Sequence, residues 1–196
     1  MTCEEAKALV KARLSSKRYK HTVNVKNMAV QLAERYGADP EKAALAALLH
    51  DSAKEMDRGA MLQILNENAI IAKNAASRPA PVWHGVVAAI LCRTEWGITD
   101  TEVLSAIDCH TTGKANMSLL DKIIYMADMV SAERDFPGVE ELREEAMRDL
   151  DLALYHALSQ CAAHVQEKGE AMDVETLAAL EDTRRTLQAR GVSVQS

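Results

Sequence analysis

The sequence has few aromatic residues and no long apolar run, and each absence argues against a class of protein. Phe, Trp and Tyr make up 4% of the 196 residues, too few for a base-stacking sheet and unfavourable for β-structure in general. Apolar runs such as Ala43 to Leu49 fall far short of the roughly 18 residues that cross a bilayer. We therefore expect neither an RNA-binding sheet nor a membrane-spanning segment.

Paired cysteines and an excess of positive charge are also missing. The four cysteines show no CxxC spacing, which predicts reduced thiols rather than disulfides or structural zinc. The net charge of −6 argues against a nucleic-acid partner, because a duplex binder needs a broad positive surface. Glu4, Glu5 and Lys7 stand where a signal peptide needs an apolar stretch, so we expect a cytoplasmic protein.

The overall composition is typical of one globular domain. Apolar residues make up 48% of the chain and charged residues 27%, the balance of a protein that buries a sizeable core. The length fits one domain with room for a small extension. We predict a single domain over residues 1–196, with a helical C-terminal region at about 139–190 packed on the core.

Apolar spacing and helix-terminating residues predict helices along the whole chain. Thr2 and Glu5 have the spacing of a capping box, Gly37 marks a helix end, and Asp39-Pro40 marks the next start. No alternating run is long enough to indicate a sheet, so the predicted fold class is all-α. The first predicted helix begins after Thr2. The other predicted helices cover about residues 20–36, 40–49, 57–68, 82–96, 101–110, 118–133, 139–168 and 174–190.

Histidines and aspartates on apolar helix faces carry the functional signal. A buried carboxylate without a partner costs several kcal/mol, and a divalent cation held jointly with neutral imidazoles would supply the counter-charge. One histidine on an apolar face is more often a hydrogen-bonded core residue, so the hypothesis depends on the group. We interpret His156 and His164 as structural or solvent-facing, because neither has an acidic partner in a similar context. The candidate ligands are His21, His50, Asp51, His84, His110 and Asp128.

The order of these residues resembles the H…HD…D signature of the HD-domain metal-dependent phosphohydrolases. The segments HTVNVKNMAVQLAERYG, LLHDSAKEM, HTTGKANMSLLDKIIYMADM and ERDFPGVEELR closely resemble the YqeK family of bacterial HD hydrolases. The likeness covers about Lys17 to Lys168. It implies an HD-domain helical bundle and a symmetrical bis(5′-nucleosyl)-tetraphosphatase activity, in which a metal-activated water cuts diadenosine tetraphosphate into two ADP.

The resemblance also implies a binuclear metal centre. By the family pattern, one metal would be held by His21, His50, Asp51 and Asp128. Asp51 would bridge to a second metal held by His84 and His110. Iron is the metal that the family suggests, while the imidazole and carboxylate ligands also suit manganese, cobalt or zinc.

A polyphosphate of roughly four negative charges needs cationic side chains beside the metals. We expect Asp51 and Lys54 to be catalytic, and Lys54 and Arg134 to bind the substrate. Thr111-Thr112-Gly113 follows His110 and could present backbone amides to a phosphate, or could simply form a helix C-cap. The charges at 17–20 are candidates for steering the anion, although such a run is usually a solvated face.

Ser131-Ala132 departs from the family, which usually has Glu-Pro there, and this departure predicts an altered pocket wall or substrate preference. Several other functions stay open at this stage: a nucleotidase, a deoxynucleotide triphosphohydrolase, an alarmone hydrolase, a non-catalytic metal-binding regulatory module, or a metal-free helical scaffold. The sequence also leaves open the base preference and whether the chain forms a homodimer.

Overall fold

The regular structure of the protein is helical throughout the part that the computed structural model describes, residues 1–69 and 75–194. Two short 3-10 turns, Ala75–Ser77 and Ala80–Val82, precede the α-helix that begins at Trp83. The α-helices within these ranges are α1 (Cys3–Arg13), α2 (Ser16–Tyr36), α3 (Pro40–Leu49), α4 (Arg58–Glu67), α5 (Trp83–Thr94), α6 (Thr101–Cys109), α7 (Leu119–Met129), α8 (Val139–Arg148), α9 (Leu150–Glu167) and α10 (Val174–Ala189).

Most helix ends lie where the local sequence predicts them. The Thr2 side chain accepts from the Glu5 amide and the Glu5 side chain accepts from the Thr2 amide, which completes the predicted capping box. Gly37 ends α2 with φ +74°, a backbone conformation that costs glycine little. Asp39 caps α3 through the amides of Glu41 and Lys42. The all-α prediction is therefore confirmed.

The predicted helix over 118–133 ends early. α7 stops at Met129, and Val130 leaves the helical region with φ −116°. Residues 130–138 instead form an irregular segment. Its Ser131 and Arg134 side chains donate to the backbone carbonyl of Asp128 near the end of α7, and Ser131 also donates to Glu133.

The single helix predicted over 139–168 is wrong. Asp149 adopts an extended conformation (φ −147°, ψ 97°) between α8 and α9. Its carboxylate accepts from the amide of Leu152, because aspartate competes with helical hydrogen bonding by capping the helix that follows. The carboxylate also accepts from Arg190, the residue that follows α10, so the C-terminal end of that helix also helps to hold the break.

The apolar core lies between α2, α3, α6 and α7, in which α3 and α7 each contact the other three helices, while α9 packs on α7, α8 and α10. Leu32, Leu49, Ile107, Ile124 and Leu154 are fully buried there, and burying such a side chain contributes about 1.5–3 kcal/mol. This packing brings the C-terminal ends of α3, α6 and α7 close together. No helix among the described residues is long and apolar enough to cross a membrane.

Candidate metal centre

The six predicted ligands converge at the place where these helix ends meet. They form three overlapping groups of three, and within each group the candidate ligand atoms lie within 4.8 Å of one another. Five of the six residues are buried and Asp128 is partly exposed. The groups are His21 with His50 and Asp51, His50 with His110 and Asp128, and Asp51 with His84 and His110.

Asp51 lies at the middle of the cluster and turns one carboxylate oxygen toward each side. Its Oδ2 is 3.5 Å from Nε2 of both His21 and His50. Its Oδ1 is 3.3 Å from Nε2 of His84 and 3.7 Å from Nε2 of His110. One carboxylate therefore faces two separate sets of imidazoles, the arrangement that a bridging ligand requires.

Three of the histidines are oriented by the same backbone device. In each, Nδ1 lies within hydrogen-bonding distance of the carbonyl oxygen three residues earlier in the chain. Because a carbonyl can only accept, Nδ1 carries the proton and Nε2 is left with a lone pair that can bind a metal. The three pairs are His50 with Ala47 at 2.6 Å, His84 with Pro81 at 2.9 Å, and His110 with Ile107 at 2.8 Å.

His21 is oriented differently, by a carboxylate. Its Nδ1 makes a short contact with Oε1 of Glu133. Glu133 also accepts from the Asn24 amide at 2.7 Å and from the Ser131 hydroxyl at 2.8 Å. The carboxylate favours a proton on Nδ1 of His21, which again leaves a lone pair on Nε2.

With these tautomers, Nε2 lone pairs and carboxylate oxygens, which are all hydrogen-bond acceptors, lie close to one another inside the cluster. The Nε2 atoms of His84 and His110 are 3.1 Å apart, and Nε2 of His21 is 3.1 Å from Oδ1 of Asp128. Nε2 of His21 and of His50 are buried without a hydrogen-bond partner, a cost of about 1–3 kcal/mol each. Lone pairs that converge in this way fit a cation among them, and imidazole with carboxylate is a donor set for divalent transition metals.

The ionisation of the cluster favours metal binding. Burial lowers the pKa of His50 and of His84 to about 4, so both imidazoles are neutral near pH 7. Burial alone would raise the pKa of Asp51, but the adjacent histidines outweigh it and hold that pKa well below its usual range. Burial would also raise the pKa of Asp128, but its close contact with His21 outweighs burial and holds that pKa below its usual range. Both aspartates are therefore anionic.

Cationic side chains border the cluster on both sides. Lys54 Nζ is 3.2 Å from Nε2 of His84, and burial lowers the pKa of this lysine. Arg134 binds the carboxylate of Asp128 and also donates to its backbone carbonyl at 3.0 Å. Arg18 donates to Oδ2 of Asp51 at 2.8 Å. The structure thus places both predicted cations, Lys54 and Arg134, at the cluster.

Arg18 and Glu133 were not among the predicted site residues. Arg18 belongs to the charge run at 17–20, for which the sequence leaves open both an anion-steering role and a solvated face. It precedes His21 by three positions on α2, and this spacing places both residues on one side of the helix. Nothing in the sequence indicated a role for Glu133, because a helix that continued to residue 133 would have placed its side chain away from that of Asp128.

Only part of Thr111-Thr112-Gly113 reaches the cluster. The Thr111 hydroxyl is 3.1 Å from Nε2 of His110 and 3.2 Å from Nε2 of His84. The Gly113 amide donates to the carbonyl of Cys109 at 2.7 Å, so at Gly113 the helix-cap alternative describes the structure. Gly113 has φ +65°, and a Cβ there would lie 2.9 Å from that of Ala179. Thr112 is buried and accepts from Arg78.

The two histidines that were set aside differ from each other. His156 has an acidic partner after all, because its Nδ1 is 2.7 Å from Oε2 of Glu145. That pair lies outside the cluster, and the His156 side chain is 45% exposed. His164 is exposed as well, but it lines a cavity that begins at His110 and Asp128.

Comparison with known proteins agrees with this geometry. Residues 18–133 match the HD domain family. The chain is 41% identical to the symmetrical bis(5′-nucleosyl)-tetraphosphatase of Bacillus subtilis, over 90% of this chain and 94% of that protein. It is 40% identical to the protein of the same name from Halalkalibacterium halodurans, over 89% of this chain and 92% of the relative.

A solved structure has the same fold. It is the crystal structure of a predicted HD superfamily hydrolase involved in NAD metabolism from Clostridium acetobutylicum. That structure superposes with a TM-score of 0.86 at 36% identity, and the match covers 95% of this chain and 98% of the other. The chain therefore belongs to the HD domain family and, within it, to the YqeK group of bacterial HD hydrolases.

Proposed function

We propose that the protein is a hydrolase that cuts diadenosine tetraphosphate symmetrically into two ADP, using a water molecule activated by two metal ions. The observation that carries the proposal is the pair of oxygens of Asp51, each of which faces its own set of imidazole lone pairs. The activity printed for the relatives that match about 90% of the chain supports the choice of substrate.

The ligands divide into two sets that share Asp51. His21, His50 and Asp128 would complete one set, and His84 with His110 the other. When bound, two divalent cations supply a water molecule acidified enough to act near neutral pH and neutralise charge on the phosphate oxygens. Iron is our first choice of metal, and manganese, cobalt and zinc suit the same ligands.

The remaining residues bind and position the phosphate chain. Lys54, Arg134 and Thr111 border the cluster and can donate hydrogen bonds to phosphate oxygens that the metals leave uncovered. ADP is a good leaving group, so the protein needs to orient the substrate and stabilise charge rather than form a covalent intermediate. We assign no serine or cysteine nucleophile.

The decisive experiment measures metal content and reaction products on one preparation. The protein is purified without added metal, then reconstituted anaerobically with ferrous, manganous or cobaltous ions. We expect about two ions per chain and two ADP from diadenosine tetraphosphate. ATP with AMP as the products, or preferred hydrolysis of a nucleoside triphosphate, would contradict the symmetrical activity. Bound metal without turnover would favour a regulatory module.

A further inference from the structure

A cavity beside the metal centre has a wall that the proposed chemistry leaves unused. It has a volume of about 460 Å³, within the range of small-molecule sites. His110 and Asp128 form part of its lining, so it opens directly onto the ligand cluster. One wall of the cavity is formed by α9 and includes Gln160 and His164. We call it the α9 cavity.

The lining of the α9 cavity suits a flat heteroaromatic group. Tyr125, Met129 and Phe136 supply apolar surface, and Phe136 is the single phenylalanine of the chain. Two aromatic side chains at one cavity are notable in a sequence with 4% aromatic residues, and aromatic faces bind nucleobases by stacking.

The polar groups that α9 contributes to this cavity lie on one face of the helix. Gln160 and His164 are one helical turn apart and both line the cavity. A glutamine amide offers a donor and an acceptor together, and a histidine ring offers one of each in its neutral form. This combination matches the hydrogen-bonding edge of a purine or the hydroxyls of a ribose.

A second cavity on the other side of the centre has a different character. Its volume is about 680 Å³, and its lining includes His21 together with the charged Arg18, Glu55 and Glu133. It shares Arg134 and Phe136 with the α9 cavity, so these two residues form the wall between them. An uncharged base would have to displace water from ionised groups there, which costs free energy.

We infer that the α9 cavity binds the nucleoside of one half of the substrate, with the base against Phe136 and Tyr125 and its polar edge on Gln160 and His164. This inference rests on the proposed function. Arg134 lines this cavity and binds Asp128, so it is placed to contact the phosphates that join the nucleoside to the metal ligands.

The test compares a nucleotide with its bare phosphate. Binding of ADP and of inorganic pyrophosphate to the metal-loaded protein is measured by calorimetry for Gln160→Ala, His164→Ala and Phe136→Leu. We expect the Kd for ADP to rise about 10-fold in each variant, while the Kd for pyrophosphate stays unchanged. His156→Ala is the matched control, since His156 is on the same helix but outside the cavity, and it should bind both ligands as the wild type does.

Two results would overturn the inference: an unchanged Kd for ADP in all three variants, or an equal loss for ADP and pyrophosphate. Either can occur while the wild type still makes two ADP from diadenosine tetraphosphate, which separates this inference from the proposed function. Conversely, selective loss of ADP binding without that turnover in the wild type would overturn the proposed activity and support the nucleoside site.

Discussion

The two ends of the ligand cluster use similar ligands but orient them by different means. At the His21 end, formed by His21, His50, Asp128 and Oδ2 of Asp51, a backbone carbonyl orients His50 but the side chain of Glu133 orients His21. At the His84 end, formed by His84, His110 and Oδ1 of Asp51, the orienting groups are backbone carbonyls. Each end has two imidazoles, but the His21 end has Asp128 as a carboxylate in addition to the shared Asp51, so we expect the two metal sites to differ in affinity and in sensitivity to mutation.

The largest effect is expected where the two ends meet. Asp51→Asn keeps the size of the side chain but removes the charge that both ends share. We expect loss of both metal ions and a fall in turnover by roughly three orders of magnitude. Elemental analysis and product formation on the same sample measure this. His156→Ala should change neither, and near-normal turnover of Asp51→Asn would refute a bridging role.

A second experiment separates the ends. His84→Ala should remove one ion per chain and leave the His21 end loaded, because His84 belongs only to the second set of ligands. His21→Ala should remove the other ion and leave the His84 end loaded. Elemental analysis of both variants at limiting metal ranks the two affinities. Loss of both ions from either variant would mean that the ends load as one unit.

A smaller effect is expected from the group that orients His21. Glu133→Gln keeps the shape of the side chain but weakens its hold on the proton at Nδ1 of His21. Loss of such an orienting group typically costs 10–100-fold in metal affinity, and we expect that loss at the His21 end alone. Competition with a chelator measures the two affinities separately.

The control for this variant is Glu140→Gln, which changes an exposed carboxylate that pairs with Arg143. It should leave both affinities at the wild-type level. Equal weakening of both ends by Glu133→Gln would argue that Glu133 supports the fold of the 130–138 segment rather than the tautomer of His21.

The smallest expected difference concerns protonation of the metal-free protein. Burial lowers the pKa of His84 and His50 to about 4. The pKa of His21 is raised, because its contacts with Asp128, Glu133 and Asp51 outweigh burial. In NMR titrations after chelation, His21 should therefore gain its proton above pH 6.5, and His84 only near pH 4.

The same shifts fix how stability changes with pH. The unfolded chain protonates both lowered histidines near pH 6.5, whereas the folded protein does so near pH 4. The free energy of unfolding should therefore fall by roughly a few kcal/mol as the pH drops between these values. His21 does not alter this fall, because its contribution is already complete below pH 6.5 and is lost only as the pH rises through its raised pKa. Thermal melts of the metal-free protein in which stability rises as the pH drops from 6.5 to 4 would contradict the lowered pKa values of His50 and His84.

Local signals account for what could be predicted from the sequence. Capping patterns such as Thr2 with Glu5 involve neighbours in the chain, so they gave helix starts correctly. The sequence pattern misses the break at Asp149, although this residue caps α9 through the nearby amide of Leu152, because the apolar spacing continues across the break and the pairing with Arg190 is visible only in the fold. The early end of α7 likewise depends on contacts of the segment that follows.

The candidate site likewise contains residues that local patterns predict and residues that only the fold reveals. The six candidate ligands could be proposed because histidine and aspartate on an apolar face need a reason to be buried, and the structure brings all six together. Arg18 and Glu133 look like ordinary surface charges in the sequence, and only folding turns them inward. The effect of Ser131-Ala132 on substrate preference stays a prediction, although Ser131 is buried and supports Glu133.

The backbone carbonyls that hold His50, His84 and His110 have an evolutionary consequence. No point mutation removes a main-chain oxygen, so the tautomers of these three rings are insulated from sequence drift. Glu133 is a replaceable side chain, which makes the His21 end the part of the centre that natural variation can retune. Divergence in metal preference among relatives should therefore track the residues around that carboxylate.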